Sequence, residues 1–338
     1  MRDKRKKLLS VTFCFLVSST SSFQGRKACR WLPRLTAKFS IQGDVSTSLQ
    51  NEKYTSLPRL YIGPLPTILS ATTPVPLAID TTIKLSPEQA HYVTKVMRIG
   101  GKQSSSKNLL RIFDGANGEW LAEVCVDETS DSRNRRRSET LVSAKCLQQL
   151  RTQPTYSKDP WLYLSPLKKA RIKMILEKCT ELGVGGFTML STDRTDPTSC
   201  RDCQDIEKLA IQITEASEQC ERLTIPPLIK IEEEMTVESL LEEYKHSNEK
   251  KILICRERSA ATPILGVLSA MGEHFTGISF LIGPEGGWSQ EEEMLFDNYV
   301  SDSVCGVSLG SSVLRAETAA MTAVAAYALH RDLLLEYR

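Results

Sequence analysis

Histidine is scarce in this sequence, and the two common glycine motifs of nucleotide-binding proteins are missing. The four histidines, His91, His246, His274 and His330, are scattered over 338 residues without partners nearby in the sequence. This spacing argues against a hydrolase triad and a histidine metal site, and we expect no bound metal. The absence of both G-x-x-x-x-G-K-[ST] and G-x-G-x-x-G disfavours ATP and nicotinamide cofactors.

Long apolar runs and paired cysteines are also rare. Outside the N-terminal region, no segment approaches the roughly 20 apolar residues that a membrane-spanning helix needs, so we expect no membrane contact in the mature form. Of the ten cysteines, only Cys200 and Cys203 have metal-like spacing, and without a second pair nearby this signal is weak. We expect a reducing compartment and no disulfide framework.

The positive charge is concentrated at one end of the chain. The sequence carries 43 Lys and Arg against 41 Asp and Glu, a net charge of +2. Residues 1–40 hold ten Lys or Arg and one acid, Asp3, so their net charge is +9 and that of the remainder is −7. The remainder is therefore acidic, and any contact with a polyanion needs local basic patches.

Residues 1–55 have the composition of a targeting presequence. Residues 1–7 are cationic, 8–17 are apolar and 18–22 are small, which is the layout of a secretory signal. Residues 23–40 are rich in Arg, Lys and Ser and contain no acid, as in transit peptides. We predict a disordered signal-plus-transit presequence, which favours a plastid, with a mitochondrion second and the cytoplasm third. A basic arm that binds RNA directly is the alternative.

Residues 56–150 show short strand patterns separated by turns. The D-G-A-N-G run at 114–118 predicts a hairpin, because Asn-Gly tolerates the positive φ values that tight turns need. Residues 133–137, four of which are arginine, indicate an exposed loop that is either an extra RNA contact or tolerated disorder. The pattern predicts a small β-rich, barrel-like domain.

One helix is predicted within this region. Ser86 and Gln89 form a capping-box pattern around a proline, which is typical of a helix start. The spacing places four residues on its apolar face: Tyr92, Val93, Val96 and Met97.

Residues 155–338 change period. Apolar strand-like runs alternate with helical patterns, which predicts an α/β domain with a mostly parallel sheet. The clearest helical pattern covers residues 168–182 and is stopped by Gly183.

Two strand ends stand out in this second region, because ligands of open α/β sheets bind at the carboxyl ends of strands. One strand pattern ends in G-P-E-G-G at 283–287, a tight loop whose backbone can approach a ligand closely. Another ends at Gly310 and leads through residues 311–318 into an apolar helix. Both ends are expected to open at the same edge of the sheet.

The ordered set of motifs resembles the RsmE-like RNA methyltransferases of the SPOUT superfamily. The resemblance covers most of the chain after the presequence. It is carried by P-R-L-Y at 58–61, H-Y-V-T-K-V-M-R at 91–98, F-D-G at 113–115, E-K-C-T-E-L-G-V at 177–184, E-A-S-E-Q-C-E-R at 215–222, L-I-G-P-E-G-G at 281–287 and L-G-x-x-V-L-R-x-E-T-A at 309–319.

The resemblance implies a PUA-like β-barrel that helps to hold RNA, followed by a SPOUT α/β domain with a trefoil knot. It implies S-adenosyl-L-methionine as cofactor, N3 of a uridine in small-subunit ribosomal RNA as target, and a homodimer. By position in the motifs, the cofactor-binding residues would be Leu281, Ile282, Gly283, Pro284, Glu285, Gly286, Gly287, Leu309, Gly310, Val313, Leu314 and Thr318.

Catalysis at N3 requires loss of a proton and stabilisation of negative charge on the uracil oxygens. Arg315 is predicted to supply that stabilising charge, because it stands beside the cofactor loop and stays protonated. Phosphate contact or pairing with Glu317 is the alternative role for Arg315. Glu285 and Glu317 are both candidates for the base, although glutamates in a first helical turn often only complement the helix dipole.

RNA contacts are predicted for six basic residues, although a solvated helix face explains those on residues 168–182 equally well. They are Arg59, Arg98, Lys168, Arg171, Arg194 and Arg222. Asp193 and Arg194 depart from the Ser-Glu-Arg common in the family, which leaves the role of the acid open. Two other functions are compatible with the sequence: a non-catalytic RNA-binding ribosome assembly factor, and a SPOUT enzyme that methylates another RNA position.

Overall fold

A computed structural model describes residues 54–67, 76–99, 108–128, 140–154, 159–229, 235–257, 261–271 and 277–336. These residues fall in one compact unit, Ser46–Arg338, and form two β-sheets. Residues 1–53 of the predicted presequence and the arginine-rich loop at 133–137 lie outside the described residues. None of the helices in the described ranges combines the length and apolar character needed to cross a bilayer.

The first sheet comes from the region predicted to be β-rich. Its strands are β1 (Arg59–Tyr61), β2 (Thr82–Lys84), β3 (Leu109–Phe113), β4 (Glu119–Glu128) and β5 (Thr140–Arg151). They lie in the order β1-β3-β4-β5-β2, with β1 and β3 parallel and the other pairs antiparallel. The predicted hairpin joins β3 to β4, and Asp114 accepts hydrogen bonds from two N–H groups of its turn. A closed PUA-like barrel, and the predicted domain limits, stay predictions.

The helix of this region begins as predicted but continues differently. α1, Pro87–His91, starts at the capping box and runs into a π-helical turn, Tyr92–Val96. Val93 is buried, but Tyr92 and Val96, which the spacing places on the same apolar face, are exposed. A π turn is wider than an α turn, so a period of 3.6 residues no longer identifies the residues that share a face.

The second sheet has seven strands, all parallel, in the order β10-β12-β9-β11-β6-β7-β8. The strands are β6 (Trp161–Leu164), β7 (Gly186–Met189), β8 (Leu228–Ile229), β9 (Lys250–Cys255), β10 (Thr262–Pro263), β11 (Gly277–Ile282) and β12 (Val304–Ser308). The helices are α2 (Lys169–Glu181), α3 (Pro197–Asp202), α4 (Ile206–Gln219), α5 (Val237–Lys245), α6 (Ile264–Ser269), α7 (Gln290–Asn298) and α8 (Ala316–Glu336). The prediction of an α/β fold with a parallel sheet is confirmed.

Helices cover both faces of this sheet, which explains its nearly continuous apolar strands. Leu253 and Phe280 pack into one core with α2, α4, α6 and α8. Ile254 and Leu281, one residue further along the same strands, pack into the opposite core with α5 and α7. The predicted trefoil knot stays a prediction.

A buried arginine joins the first sheet to the second half of the chain. Arg59 on β1 is only 6% exposed. Its guanidinium donates to Glu119 Oε1 at 2.6 Å, to the carbonyl of Ser217 at 2.7 Å and to the carbonyl of Arg222 at 2.6 Å. The guanidinium thus binds carbonyls at the end of α4 and a carboxylate of its own sheet, an arrangement that argues against RNA contact by Arg59.

Arg222 is held in a similar way. It donates to the carbonyl of Thr180 at 2.9 Å and lies 3.2 Å from a carboxylate oxygen of Asp159. Its side chain is 13% exposed, so little of the guanidinium faces solvent. This placement also argues against the predicted RNA contact, and it gives Arg222 the role of fixing the end of α4 against α2.

Candidate functional site

The carboxyl ends of β9, β11 and β12 open onto one cavity of about 940 Å³. These three strands are neighbours in the sheet, and the residues after them, 255–257, 282–288 and 308–316, form most of the lining. Arg171 of α2 and Arg194, in the loop after β7, also line it, together with Pro263, Glu293 and Ala319. The expectation that the two selected strand ends meet at one edge is confirmed. The volume suits a ligand of cofactor size.

Ten of the twelve predicted cofactor-binding residues line this cavity: Ile282, Gly283, Pro284, Glu285, Gly286, Gly287, Leu309, Gly310, Val313 and Leu314. The other two lie elsewhere. Leu281 is fully buried in the core with α5 and α7, and Thr318 is exposed on the first turn of α8. Neither residue lines the cavity. Both motifs therefore reach the cavity as predicted, but Leu281 of the first and Thr318 of the second do not contribute to its lining.

Backbone conformation explains the glycines at this site. Gly287 has φ +69° and Gly310 has φ +135°, in the region that only glycine adopts freely, and a Cβ atom on either would meet nothing within 4 Å. At Gly286 a Cβ would lie 3.3 Å from Cβ of Arg194. The positive φ values at Gly287 and Gly310 therefore favour glycine in both loops. The missing side chains leave open space beside the backbone.

Trp288 fastens the glycine loop to the neighbouring strand end. Its indole N–H donates to the carbonyl of Cys255 at 3.0 Å, and the ring is 9% exposed. A Cβ at Gly283 would lie only 2.9 Å from this ring. Sequence reasoning missed Trp288, although an aromatic residue directly after a glycine-rich loop was an available signal.

Arg256 also lines the cavity but is neutralised from one side. It donates to Glu293 at 2.7 Å and to Asp297 at 2.7 Å, both on α7. Burial alone would lower the pKa of Arg256, but the hydrogen bonds with Asp297 and Glu293 outweigh it and raise the pKa. These two partners are about 40 residues away in the sequence, so no local pattern indicates them.

Arg171 connects two acidic residues at the cavity. Its Nη1 lies 3.3 Å from Oε1 of Glu285 in the glycine loop, and its Nε lies 4.0 Å from Oε1 of Glu317 at the start of α8. Glu317 is 8% exposed, and its Oε2 is buried with no hydrogen-bond partner among the described residues. Arg171 was predicted to contact RNA, but its charge is already shared between two carboxylates.

Arg315 stands at the cavity without such partners. It lines the cavity, is exposed, and its side chain makes no hydrogen bond or ion pair within the described ranges. The alternative of pairing with Glu317 is wrong for this structure, because the cation beside Glu317 is Arg171. A free guanidinium at the mouth of a ligand cavity is able to stabilise developing negative charge.

The loop holding Asp193 and Arg194 is attached to the glycine loop. Arg194 is exposed and donates to the carbonyl of Gly286 at 3.1 Å. Asp193 accepts from the hydroxyl of Ser289 at 2.5 Å, and its N–H donates to Glu292 at 3.1 Å. The acid whose role was open therefore secures the start of α7 beside the cavity.

The remaining basic candidates are exposed. Arg98 follows the π-helical turn with φ +57°, an uncommon conformation for a residue with a side chain. Lys168 precedes α2, and its backbone N–H lies 3.5 Å from Glu285. RNA contact by Arg98, Lys168 and Arg194 stays a prediction that their exposure permits.

The cysteine pair shows no ligand chemistry. Cys203 donates to the carbonyl of Leu167, and burial raises its pKa to about 11, so its thiol stays protonated near neutral pH. Across the described residues, no group of three or more His, Cys, Asp or Glu side chains is arranged to hold a metal ion.

The fold and the site define a parallel α/β protein with a cofactor-sized cavity between the loops that follow three adjacent strands. A family model for the RNA methyltransferase domain matches residues 156–328. Ribosomal RNA small subunit methyltransferase E of Rickettsia conorii is 31% identical over 254 residues, covering 74% of this chain and 90% of that protein. The protein of the same name from Synechocystis is 28% identical over 249 residues, covering 73% of each chain. The chain belongs to the RNA methyltransferase family, and the predicted RsmE-like resemblance is confirmed.

Solved structures show the same fold. The ribosomal RNA small subunit methyltransferase E of Neisseria gonorrhoeae, bound to S-adenosyl methionine, superposes with a TM-score of 0.58 at 24% identity, covering 80% of this chain and 96% of that one. A methyltransferase of Legionella pneumophila in complex with the same cofactor gives a TM-score of 0.58 at 23% identity, with the same coverage.

Proposed function

We propose that this protein uses S-adenosyl-L-methionine to methylate N3 of a uridine in the small-subunit ribosomal RNA of an organelle. One observation carries the proposal: the two motifs at 281–287 and 309–319 converge on a single cavity where Arg315 is free of acidic partners. Relatives from Rickettsia conorii and Synechocystis are named as small-subunit ribosomal RNA methyltransferases, which supports the RNA class.

The cavity fits the cofactor in size and in chemistry. The open space beside Gly287 and Gly310 lets a ligand approach backbone N–H and C=O groups, which suits the polar edge of an adenine ring. The carboxylates of Glu257 and Glu285 line the same cavity and offer acceptors for hydroxyl and ammonium groups. When bound, S-adenosyl-L-methionine supplies an electrophilic methyl group on a sulfonium.

The residues of the chain would prepare the nucleotide. Uridine N3 carries a proton at neutral pH, so a base must remove it and leave negative charge on the uracil oxygens. Arg315 would stabilise that charge, and its position in the cavity lining supports this role. Glu285 and Glu317 both remain candidates for the base, and a carboxylate oxygen of each lies within 4.0 Å of the Arg171 guanidinium.

RNA would be held by local basic residues on an otherwise acidic chain. Arg98, Lys168 and Arg194 are the exposed members of the predicted set, and Arg194 stands at the cavity itself. These are expected to contact phosphates, because lysine and arginine neutralise the backbone irrespective of sequence.

We also propose a homodimer formed through the last helix. Leu329 and Leu333 of α8 are 72% and 50% exposed and lie one turn apart on the same face. A second copy of this chain would cover them. Sedimentation is expected to show a dimer that L329E/L333E converts to a monomer, while V300E, which changes another exposed apolar residue, leaves the dimer intact.

The organellar address remains a proposal based on the composition of residues 1–55. A fluorescent fusion of this segment is expected to enter plastids. A diffuse cytosolic signal would contradict the proposed plastid targeting but would not bear on the proposed enzymatic activity.

The function itself is tested by mapping methylated uridines in organellar small-subunit ribosomal RNA with and without the protein, and by calorimetry with S-adenosyl-L-methionine. We expect loss of one N3-methyluridine and micromolar binding. Absence of cofactor binding would favour a non-catalytic assembly factor, and methylation at another atom or base would favour a different SPOUT specificity.

A further inference from the structure

The two main walls of the cavity are not neighbours in the sheet. The glycine loop follows β11 and the 308–317 segment follows β12, and β9 lies between these strands. No hydrogen bond joins residues 283–288 to residues 308–317 within the ranges that the structure describes. The ladder fixes the ends of β11 and β12 through their shared neighbour β9, but it makes no direct bond between the two loop segments beyond those ends.

One side chain connects the two walls. Arg171 lies on α2, which packs against α8, and reaches the cavity from there. It places Nη1 3.3 Å from Glu285 of the glycine loop and Nε 4.0 Å from Glu317 of α8. The guanidinium thus stands between two carboxylates that belong to opposite walls.

The partial burial of these three charged side chains strengthens the interactions between them. The side chains of Arg171, Glu285 and Glu317 are 32%, 24% and 11% exposed, so water screens their interactions only in part. The buried Oε2 of Glu317 has no hydrogen-bond partner among the described residues. Without Arg171, Glu317 would lose its nearest opposite charge and would face Glu285 as a like charge.

We propose that Arg171 is a positioning residue that holds the glycine loop and the start of α8 at a fixed separation and so sets the width of the cofactor cavity. The identity of the ligand in this statement rests on the proposed function. The guanidinium suits the task because it presents several N–H donors in a rigid plane, whereas a lysine ammonium is a point charge on a flexible stem.

The test compares R171M with R171K and with the control K173M, which removes one cation from the same helix at a residue that does not line the cavity. Hydrogen exchange of the ligand-free proteins is measured at the amides of residues 283–287 and 308–317. R171M is expected to exchange at least about fivefold faster in both segments, R171K to be intermediate, and K173M to match the wild type.

Cofactor binding gives the second readout. R171M is expected to raise the Kd for S-adenosyl-L-methionine about tenfold, with kcat at saturating cofactor changed less than about threefold, because a wrongly spaced cavity weakens binding more than chemistry. The double variant R171M/E317Q is expected to recover part of both effects, since it removes the uncompensated carboxylate.

Unchanged exchange in R171M, or equal effects of R171M and K173M, would overturn the proposal. So would additive effects of R171M and E317Q, because coupling is what the bridge requires. If the wild type fails to bind S-adenosyl-L-methionine, the proposed function fails, while the exchange experiment still decides whether Arg171 holds the two walls together.

Discussion

At the scale of single residues, the arginines of the cavity differ in what they bind. Arg171 and Arg256 are paired with carboxylates, and Arg194 donates to a backbone carbonyl. Of the four arginines that line the cavity, only Arg315 has a side chain without a hydrogen-bond or ion-pair partner among the described residues. A cation without a protein partner is the one best able to respond to charge that develops on a substrate.

R315A is therefore expected to lower kcat for RNA methylation by about 100-fold or more, the scale seen when one oxyanion-stabilising donor is removed. Affinity for S-adenosyl-L-methionine should change less than about twofold. Single-turnover kinetics and calorimetry measure the two quantities. R315K keeps the charge and should retain part of the activity, and full turnover by R315A would refute the assignment.

The sequence alone did not reveal which arginines bind carbonyls and carboxylates of the protein itself. Arg59 and Arg222 match the family motifs, yet each binds carbonyls and carboxylates brought close by the fold, and Arg59 finds Ser217 158 residues away. Glycine and capping positions were predictable, because their causes are local: a positive φ at Gly310 and a capping box at Ser289 depend on adjacent residues. Pairing across the chain has no such local signal.

At the scale of elements, the junction of β1 with α4 contains a carboxyl group, that of Glu218, whose pKa is raised. Glu218 accepts a hydrogen bond from the Tyr61 N–H at 2.7 Å, and burial raises its pKa to about 7, against the opposing effects of that bond and of Arg59. Glu215 nearby raises it further. The folded state thus retains a proton that the unfolded chain releases near its ordinary pKa of 4.5.

A raised folded-state pKa stabilises the protein at low pH and loses this contribution as pH rises through the folded value. The contribution of Glu218 is therefore complete below about pH 4.5 and lost above about pH 7. E218Q keeps the acceptor oxygen without the charge, so its unfolding free energy should exceed that of the wild type at pH 8 and match it at pH 4. Urea denaturation measures both; a parallel pH dependence in wild type and E218Q would contradict the prediction.

The glycine loops permit a second test at this scale. G310A introduces a Cβ into open space but at φ +135°, so any loss of stability is conformational rather than steric. We expect a loss of about 1–3 kcal/mol in unfolding free energy and weaker cofactor binding. The matched control is G277A, where φ is ordinary and the new Cβ would meet Lys250 Cγ at 3.6 Å. Similar stability of the two variants would show that Gly310 is not constrained by its backbone.

At the scale of the whole molecule, the alternation of strands and helices predicted the parallel sheet, because period and length are properties of each segment. The order of its strands was not predictable in that way. β9 lies between β11 and β12, and this order brings Arg256 and Trp288 to the same cavity as the two motifs. The bonds of Arg59 on β1 to the carbonyls of Ser217 and Arg222 likewise join distant parts of the chain, which no single segment encodes.

The charge of the molecule supports a final prediction. Outside residues 1–40 the chain has a net charge of −7, so RNA must be bound through a few exposed cations such as Arg98, Lys168 and Arg194. About three phosphate contacts to single-stranded RNA give a slope of roughly −2 when log K is plotted against log salt concentration. The full chain carries ten more Lys or Arg in residues 1–40 and should show a steeper slope than residues 56–338 alone. Titrations of both forms between about 50 and 200 mM salt separate these cases. A slope beyond about −5 for residues 56–338 would mean a basic surface larger than those three residues supply, because each contact contributes only about −0.7.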